Sequence, residues 1–186
     1  MRLNIVIAST RPGRVGPSVA NWAFEHAKQN GSFEDVQLVD LADFDLPVFD
    51  EPKHPRLQEY QHDHTKKWAE SVAAADAFVL VTPEYNFGPT PALLNALNYV
   101  YLEWNYKPAA FVSYGGVSGG MRAVQWTKMT LTTLKMVPIM EGVLVPMVAQ
   151  HIDAGAFKPE KIHIESADAM QKELRRWADA LKPLRG

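Results

Sequence analysis

Leu3-Asn4-Ile5-Val6-Ile7-Ala8-Ser9-Thr10-Arg11-Pro12-Gly13-Arg14-Val15-Gly16-Pro17-Ser18 decides the fold class. Its first six residues form an apolar, largely β-branched run, the pattern of a strand buried on both faces. A polar loop of hydroxyl, arginine, glycine and proline residues follows. Val19, Trp22, Ala23, His26 and Ala27 then recur at helical spacing, and Gly31 stands where a helix end takes a left-handed residue. The apolar run is too short to span a membrane, and Thr10-Arg11-Pro12 follows it closely. It reads as a first strand rather than a signal peptide.

The same alternation continues along the chain. Val36 to Leu41 reads as a second strand, and Ala42 to Thr65, with Pro47, Pro52 and Pro55, as mostly loop. Lys66 to Ala75 is a predicted helix and Ala77 to Thr82 a third strand. Thr90 and Pro91 suit the cap and first turn of the next helix, because proline has no N–H to leave unpaired there. Leu93, Leu94, Leu97, Val100 and Tyr101 give that helix its apolar face. Ala109 to Tyr114 is the fourth strand, Met121 to about Lys135 a helix, and Gly142 to Val145 the fifth strand. Ala167, Met170, Leu174, Trp177 and Leu181 mark a last helix by steps of three and four.

Five strand–helix alternations without repeats or a domain-sized linker predict one α/β domain over residues 1–186. Right-handed crossovers then make it a doubly wound three-layer sandwich. Two strand orders are common for such a sheet, the dinucleotide-binding order and 2-1-3-4-5, and both bind ligands beyond the carboxyl ends of the strands.

Composition removes whole classes of function. With 47% hydrophobic and 22% charged residues the chain is an ordinary globular protein, so wholesale disorder is excluded. Nineteen Lys and Arg against twenty-one Asp and Glu leave a net charge of −2, which argues against gripping nucleic acid by bulk charge. No cysteine is present, so thiolate catalysis, zinc ribbons and disulfide scaffolds are excluded. The expectation is a soluble, cytoplasmic protein.

Three loops then carry the chemistry. Ser9 to Ser18 leads into a helix N-terminus, where free N–H groups and the helix dipole attract an anion, and two arginines and three hydroxyls add donors. It lacks the glycine pattern of a dinucleotide loop and the Gly-Lys-Ser/Thr ending of a nucleotide triphosphatase, so a terminal phosphate suits it better than a pyrophosphate. Thr82-Pro83-Glu84-Tyr85-Asn86-Phe87-Gly88-Pro89-Thr90 offers two rings with an amide between them, what a planar heterocycle needs at its face and edge. Ser113-Tyr114-Gly115-Gly116-Val117-Ser118-Gly119-Gly120 places four glycines in six positions, letting backbone N–H groups approach a ligand closely.

Ser9-Thr10-Arg11 with Ser18, Pro83-Glu84-Tyr85-Asn86, and Gly115-Gly116 with Gly119-Gly120 together resemble the NADPH-dependent FMN reductase family, whose relatives reduce quinones, chromate and azo dyes. Ala8 departs from the pattern, since many members have glycine there. The resemblance implies a flavodoxin-like fold with a five-stranded parallel sheet in order 2-1-3-4-5. It also implies non-covalent FMN, with NADPH as reductant and a small-molecule electron acceptor. Ser9, Thr10, Arg11 and Ser18 would hold the phosphate, and Pro83, Glu84, Tyr85 and Asn86 would run along the isoalloxazine. Gly115, Gly116 and Gly119 would border its pyrimidine side.

Because such a cofactor carries the chemistry, no catalytic side chain is expected. A homodimer or homotetramer is implied too, with the helix after the tyrosine loop in the interface. Leu93, Leu97, Val100, Tyr101, Leu102 and Trp104 give that helix more apolar surface than one face can bury. The alternative function is a flavin-binding electron carrier or sensor without NADPH turnover. His54, His62 and His64, in an acid-rich stretch with Asp50, Glu51, Glu59 and Asp63, match no standard metal-ligand spacing and read as a hydrated surface loop.

Overall fold

The computed structural model describes residues 1–185. Five parallel strands, β1 (Arg2–Ile7), β2 (Asp35–Asp40), β3 (Ala77–Pro83), β4 (Pro108–Tyr114) and β5 (Val137–Val145), form one sheet in the order β2-β1-β3-β4-β5. That is the flavodoxin-like order, and it puts β1 and β3 side by side at the point where the winding reverses. Strands β3 and β4 are buried along their whole length, as their unbroken apolar runs require.

Helices α1 (Gly16–Asn30) and α5 (Lys161–Leu181) cover one face of the sheet, where Val19, Ala23, Met170 and Leu174 meet Ile5, Val79 and Val112. The other face carries α2 (Asp63–Ala74), α3 (Pro91–Tyr99) and α4 (Met121–Thr133), whose core holds Trp68, Leu93, Leu97, Leu131, Phe78 and Trp104. The Trp68 indole N–H donates to the Ala96 carbonyl at 2.9 Å, so this large ring is buried without an orphaned donor. Among the described residues no helix is long and apolar enough to cross a membrane.

The caps read from sequence are present. The Thr90 Oγ1 accepts from the Leu93 amide at 3.1 Å and donates to the Ala8 carbonyl at 2.6 Å, tying α3 to the end of β1. Gly31 ends α1 at φ 72°. Other boundaries move. Helix α2 starts at Asp63 rather than Lys66, because the Glu51 carboxylate reaches across to accept from the Gln61 and His62 amides ahead of it (2.8 and 3.0 Å). Strand β5 starts at Val137 and contains a register shift opposite Ala109 and Phe111, where Gly142 passes so close that a Cβ would lie 2.8 Å from the Phe111 carbonyl. A short antiparallel hairpin, β6 (Ile152–Asp153) and β7 (Ala156–Phe157), was not expected.

The predicted interface helix needs a correction. Helix α3 ends at Tyr99, and Leu93, Leu97, Val100 and Trp104 are buried in this chain's own core. Tyr101 packs partly against the same core, and Leu102 alone of the six is exposed.

Candidate functional site

The loops after β1, β3 and β4 leave the same edge of the sheet, and hydrogen bonds join them. Tyr114, the last residue of β4, points its hydroxyl at Ser9 Oγ (3.3 Å) beneath the first loop. Burial raises the Tyr114 hydroxyl to about 12, so it stays protonated and donates. Gly16 packs against this pair. A Cβ there would overlap Ser9 Oγ and lie 2.8 Å from the Tyr114 hydroxyl, so only glycine fits at the first position of α1.

The two arginines of the first loop have different jobs. Arg14 forks onto Asp40 at the end of β2, with Nη1 and Nη2 at 2.8 and 2.6 Å from its carboxylate oxygens, and Nη1 also reaches the Ser9 carbonyl. It therefore shapes the loop from within. Arg11 is exposed and, among the described residues, pairs with no carboxylate. Ser9 is fully buried beneath the loop. Thr10 is exposed and lines a recess of about 260 Å³ with Leu41, Ala42 and Asn95. Ser18 sits on the first turn of α1 and donates its hydroxyl proton to the Gly155 carbonyl at 2.5 Å.

In the second loop Pro83 ends β3 and is buried opposite Tyr114. Tyr85 and Gly88 exchange backbone hydrogen bonds of 2.9 Å around Asn86 and Phe87, both at positive φ (49° and 68°). Asparagine tolerates that conformation and a bulky phenylalanine resists it, so this turn holds strain. Phe87 is 69% exposed.

Glu84 follows Pro83 at the end of β3. Its carboxylate turns to the next loop, accepting from Ser118 Oγ (3.0 Å) and from the Arg122 amide and Nε (3.0 and 2.6 Å). Burial pushes its carboxyl up, but the Arg122 and Ser118 hydrogen bonds outweigh that and hold it below the usual carboxylate range. An ionised, fully engaged carboxylate is a staple between loops rather than a proton acceptor.

In the third loop Gly115 donates to the Val145 carbonyl, and its own carbonyl and that of Gly116 accept from Val148 and Met147. The loop is thus braced by the chain after β5. A Cβ on Gly116 would meet nothing within 4 Å, whereas Gly119 packs on Leu144. The sequence-predicted residues of all three loops therefore lie at the carboxyl ends of β1, β3 and β4.

The histidines lie elsewhere. His62 and His64 stack at 5.1 Å and both turn Nε2 toward Asp50 (3.9 and 3.1 Å). Among the described residues no three or more side chains are grouped to hold a metal ion. Asp40, Arg122 and Gly155 were not singled out from sequence. Each acts on a loop residue far away in the chain, and no local motif signals such a pairing.

Residues 1–150 match the family model described as NADPH-dependent FMN reductase. An NAD(P)H-dependent FMN reductase of Schizosaccharomyces pombe is 38% identical over 148 residues, covering 78% of this chain and 74% of the relative. An NAD(P)H:quinone oxidoreductase of Solanum tuberosum is 30% identical over 118 residues, covering 62% of this chain and 59% of its own. Among solved structures, the flavoenzyme NAD(P)H:(acceptor) oxidoreductase FerB of Paracoccus denitrificans superposes with a TM-score of 0.75 at 20% identity, over 96% of this chain and 97% of that one. At that identity the superposition speaks for the fold.

Proposed function

The chain belongs to the NADPH-dependent FMN reductase family, and from that premise we propose that it holds FMN and reduces a small acceptor at the expense of NADPH. The acceptor is of the quinone, flavin, azo, nitro or chromate kind. The observation that carries this reading is the division of labour between Arg14 and Arg11. One arginine is spent on Asp40 to hold the loop's shape, and the other, in the loop that leads into α1, pairs with no carboxylate among the described residues. An unpaired guanidinium beside a helix N-terminus suits a phosphate dianion.

The residues present fit the cofactor. Arg11, the Ser18 hydroxyl and the amides of the first loop would take the phosphate, Tyr85 would lie along the ring system, and the open space at Gly116 leaves its pyrimidine edge room beside backbone N–H groups. FMN, when bound, would supply the redox chemistry, the passage of two electrons from the reduced nicotinamide to the acceptor. The chain's own contribution is to bind and orient. The Glu84 staple keeps the second and third loops at a fixed separation, and the buried Tyr114–Ser9 contact keeps the first loop on the same floor. With one cleft serving reductant and acceptor in turn, the kinetics should be ping-pong.

A homo-oligomer belongs to the same proposal, with the contact on α4 rather than α3. Phe87, Met121, Trp126 and Met129 are all exposed around an apolar recess of about 830 Å³, more apolar surface than a lone surface helix commonly leaves in water.

The deciding experiment loads the purified protein with FMN, records its absorbance and adds NADPH without oxygen. Flavin uptake and bleaching are expected. Protein that takes up flavin and resists NADPH would be an electron carrier, and protein that takes up none would overturn both readings.

A further inference from the structure

The β6–β7 hairpin lies past the last residue of the family match, yet it reaches back to the first loop. Its strands pair Ile152 with Phe157 and Asp153 with Ala156. Ala154 and Gly155 between them both have positive φ (46° and 79°), as a tight two-residue hairpin turn requires. Phe157 seats the hairpin. Its ring is buried, 5.1 Å from Trp22 of α1 and 5.7 Å from His163 of α5. The turn is thereby held over the first turn of α1, where the Gly155 carbonyl takes the Ser18 proton.

A serine hydroxyl has one proton to give. A phosphate monoester near pH 7 is largely a dianion and offers only acceptors. Ser18 can therefore serve the Gly155 carbonyl or a bound phosphate, but not both at once. We propose that the hairpin is a brake on the phosphate site: it competes for the Ser18 proton and so sets how tightly the phosphate end of FMN is held. This rests on the FMN reading above. The competition is close to balanced because Gly155 is exposed, so its carbonyl finds water when Ser18 leaves it. A segment past the residues matched by the family model thus tunes an anchor inside them.

The test withdraws the carbonyl in two ways. Gly155→Val forces a β-branched residue into a positive-φ position, where its Cβ has open space but its backbone is strained. The second variant replaces residues 153–156 by four glycines, which keeps a carbonyl at position 155 but removes the ordered turn that aims it at Ser18. Dissociation constants for FMN and for riboflavin, which lacks the phosphate, are read from flavin fluorescence in the Ser18 and Ser18→Ala backgrounds.

Both variants should tighten FMN about three- to ten-fold, the worth of one hydrogen bond. Riboflavin binding should not change, and the gain should vanish with Ser18→Ala. Unchanged or weaker FMN binding overturns the brake, as does a gain that extends to riboflavin or survives Ser18→Ala. If the parent protein binds neither flavin, the FMN reading itself has failed, whereas a parent that binds FMN normally confines any failure to the hairpin.

Discussion

The guanidinium of Arg122 lies 3.8 Å from the ring centroid of Phe87 while the same group grips the Glu84 carboxylate. One side chain from α4 thus holds both a strained aromatic turn and the staple between two loops. Arg122→Ala would leave Glu84, whose side chain is only 7% exposed, with Ser118 as its one remaining side-chain partner. The expected loss is about 1–3 kcal/mol, seen as a lower denaturant midpoint. Lysine at 122 should rescue little of it, because it cannot fork onto a carboxylate and stack on a ring together. An unchanged midpoint for Arg122→Ala would show that the staple contributes nothing to the fold.

Two glycine substitutions should separate folding from binding. Gly16→Ala drives a methyl into Ser9 and Tyr114 and should cost about 1–3 kcal/mol of stability, with loss of flavin uptake as a consequence. Gly116→Ala meets nothing within the protein, so its melting temperature should stay within a degree or two of the parent's. Its flavin affinity should nonetheless fall, since the methyl stands where the ring system's edge would lie. If both variants melt alike and bind alike, the cleft has been misplaced.

Trp126→Glu tests the α4 surface. Trp126 is 50% exposed, and a charge there costs the monomer little while leaving an unpaired carboxylate in any contact between copies. Light scattering should give a larger species for the parent and a monomer for the variant at the same concentration. A parent that scatters as a monomer refutes the assignment.

Lys107 sets a pH dependence at the opposite end of the sheet. It is 6% exposed and its ammonium donates to the Val72 and Ala73 carbonyls at the end of α2 (2.7 and 2.9 Å). Burial, helped by the nearby Arg185 charge, lowers it to about 8 from its ordinary 10.5. Between those two values the unfolded chain binds the proton and the folded chain has released it, so stability should rise with pH across that window. Chemical denaturation between pH 7.5 and about 9.5, below the range where unfolded tyrosines ionise, should show the rise. Lys107→Met should flatten it. A parent whose stability falls over this range contradicts the assignment.

How much of this was legible in the sequence depended on distance along the chain. Buried strands announce themselves locally, so β1, β3 and β4 were found within a residue or two at each end. Thr90-Pro91 and Gly31 marked helix ends through their own backbone preferences. Strand β5 reads short because Pro138 and Glu141 interrupt the apolar run ahead of its last four residues. The hairpin escaped because two-residue strands have no period to read. In the candidate site the loops were visible as composition, but their couplings were not. Glu84 meets Arg122, Arg14 meets Asp40 and Ser18 meets Gly155 only after folding has brought distant segments together. The apolar residues from Leu93 to Trp104 fit either a core helix or an interface helix, for a related reason. A helix that dives into its own core has the same composition as one that waits for a partner.

The two faces of the sheet are also unequal to the eye of a fluorimeter. Trp68 and Trp104 are both sealed on the α2–α3 side, with ring centroids 5.8 Å apart, while Trp22, Trp126 and Trp177 reach solvent on the outer helices. The blue edge of the emission therefore reports on half of the molecule, and its red edge on the periphery. Comparing the two edges during refolding would reveal which half sets first, with no dye or label added.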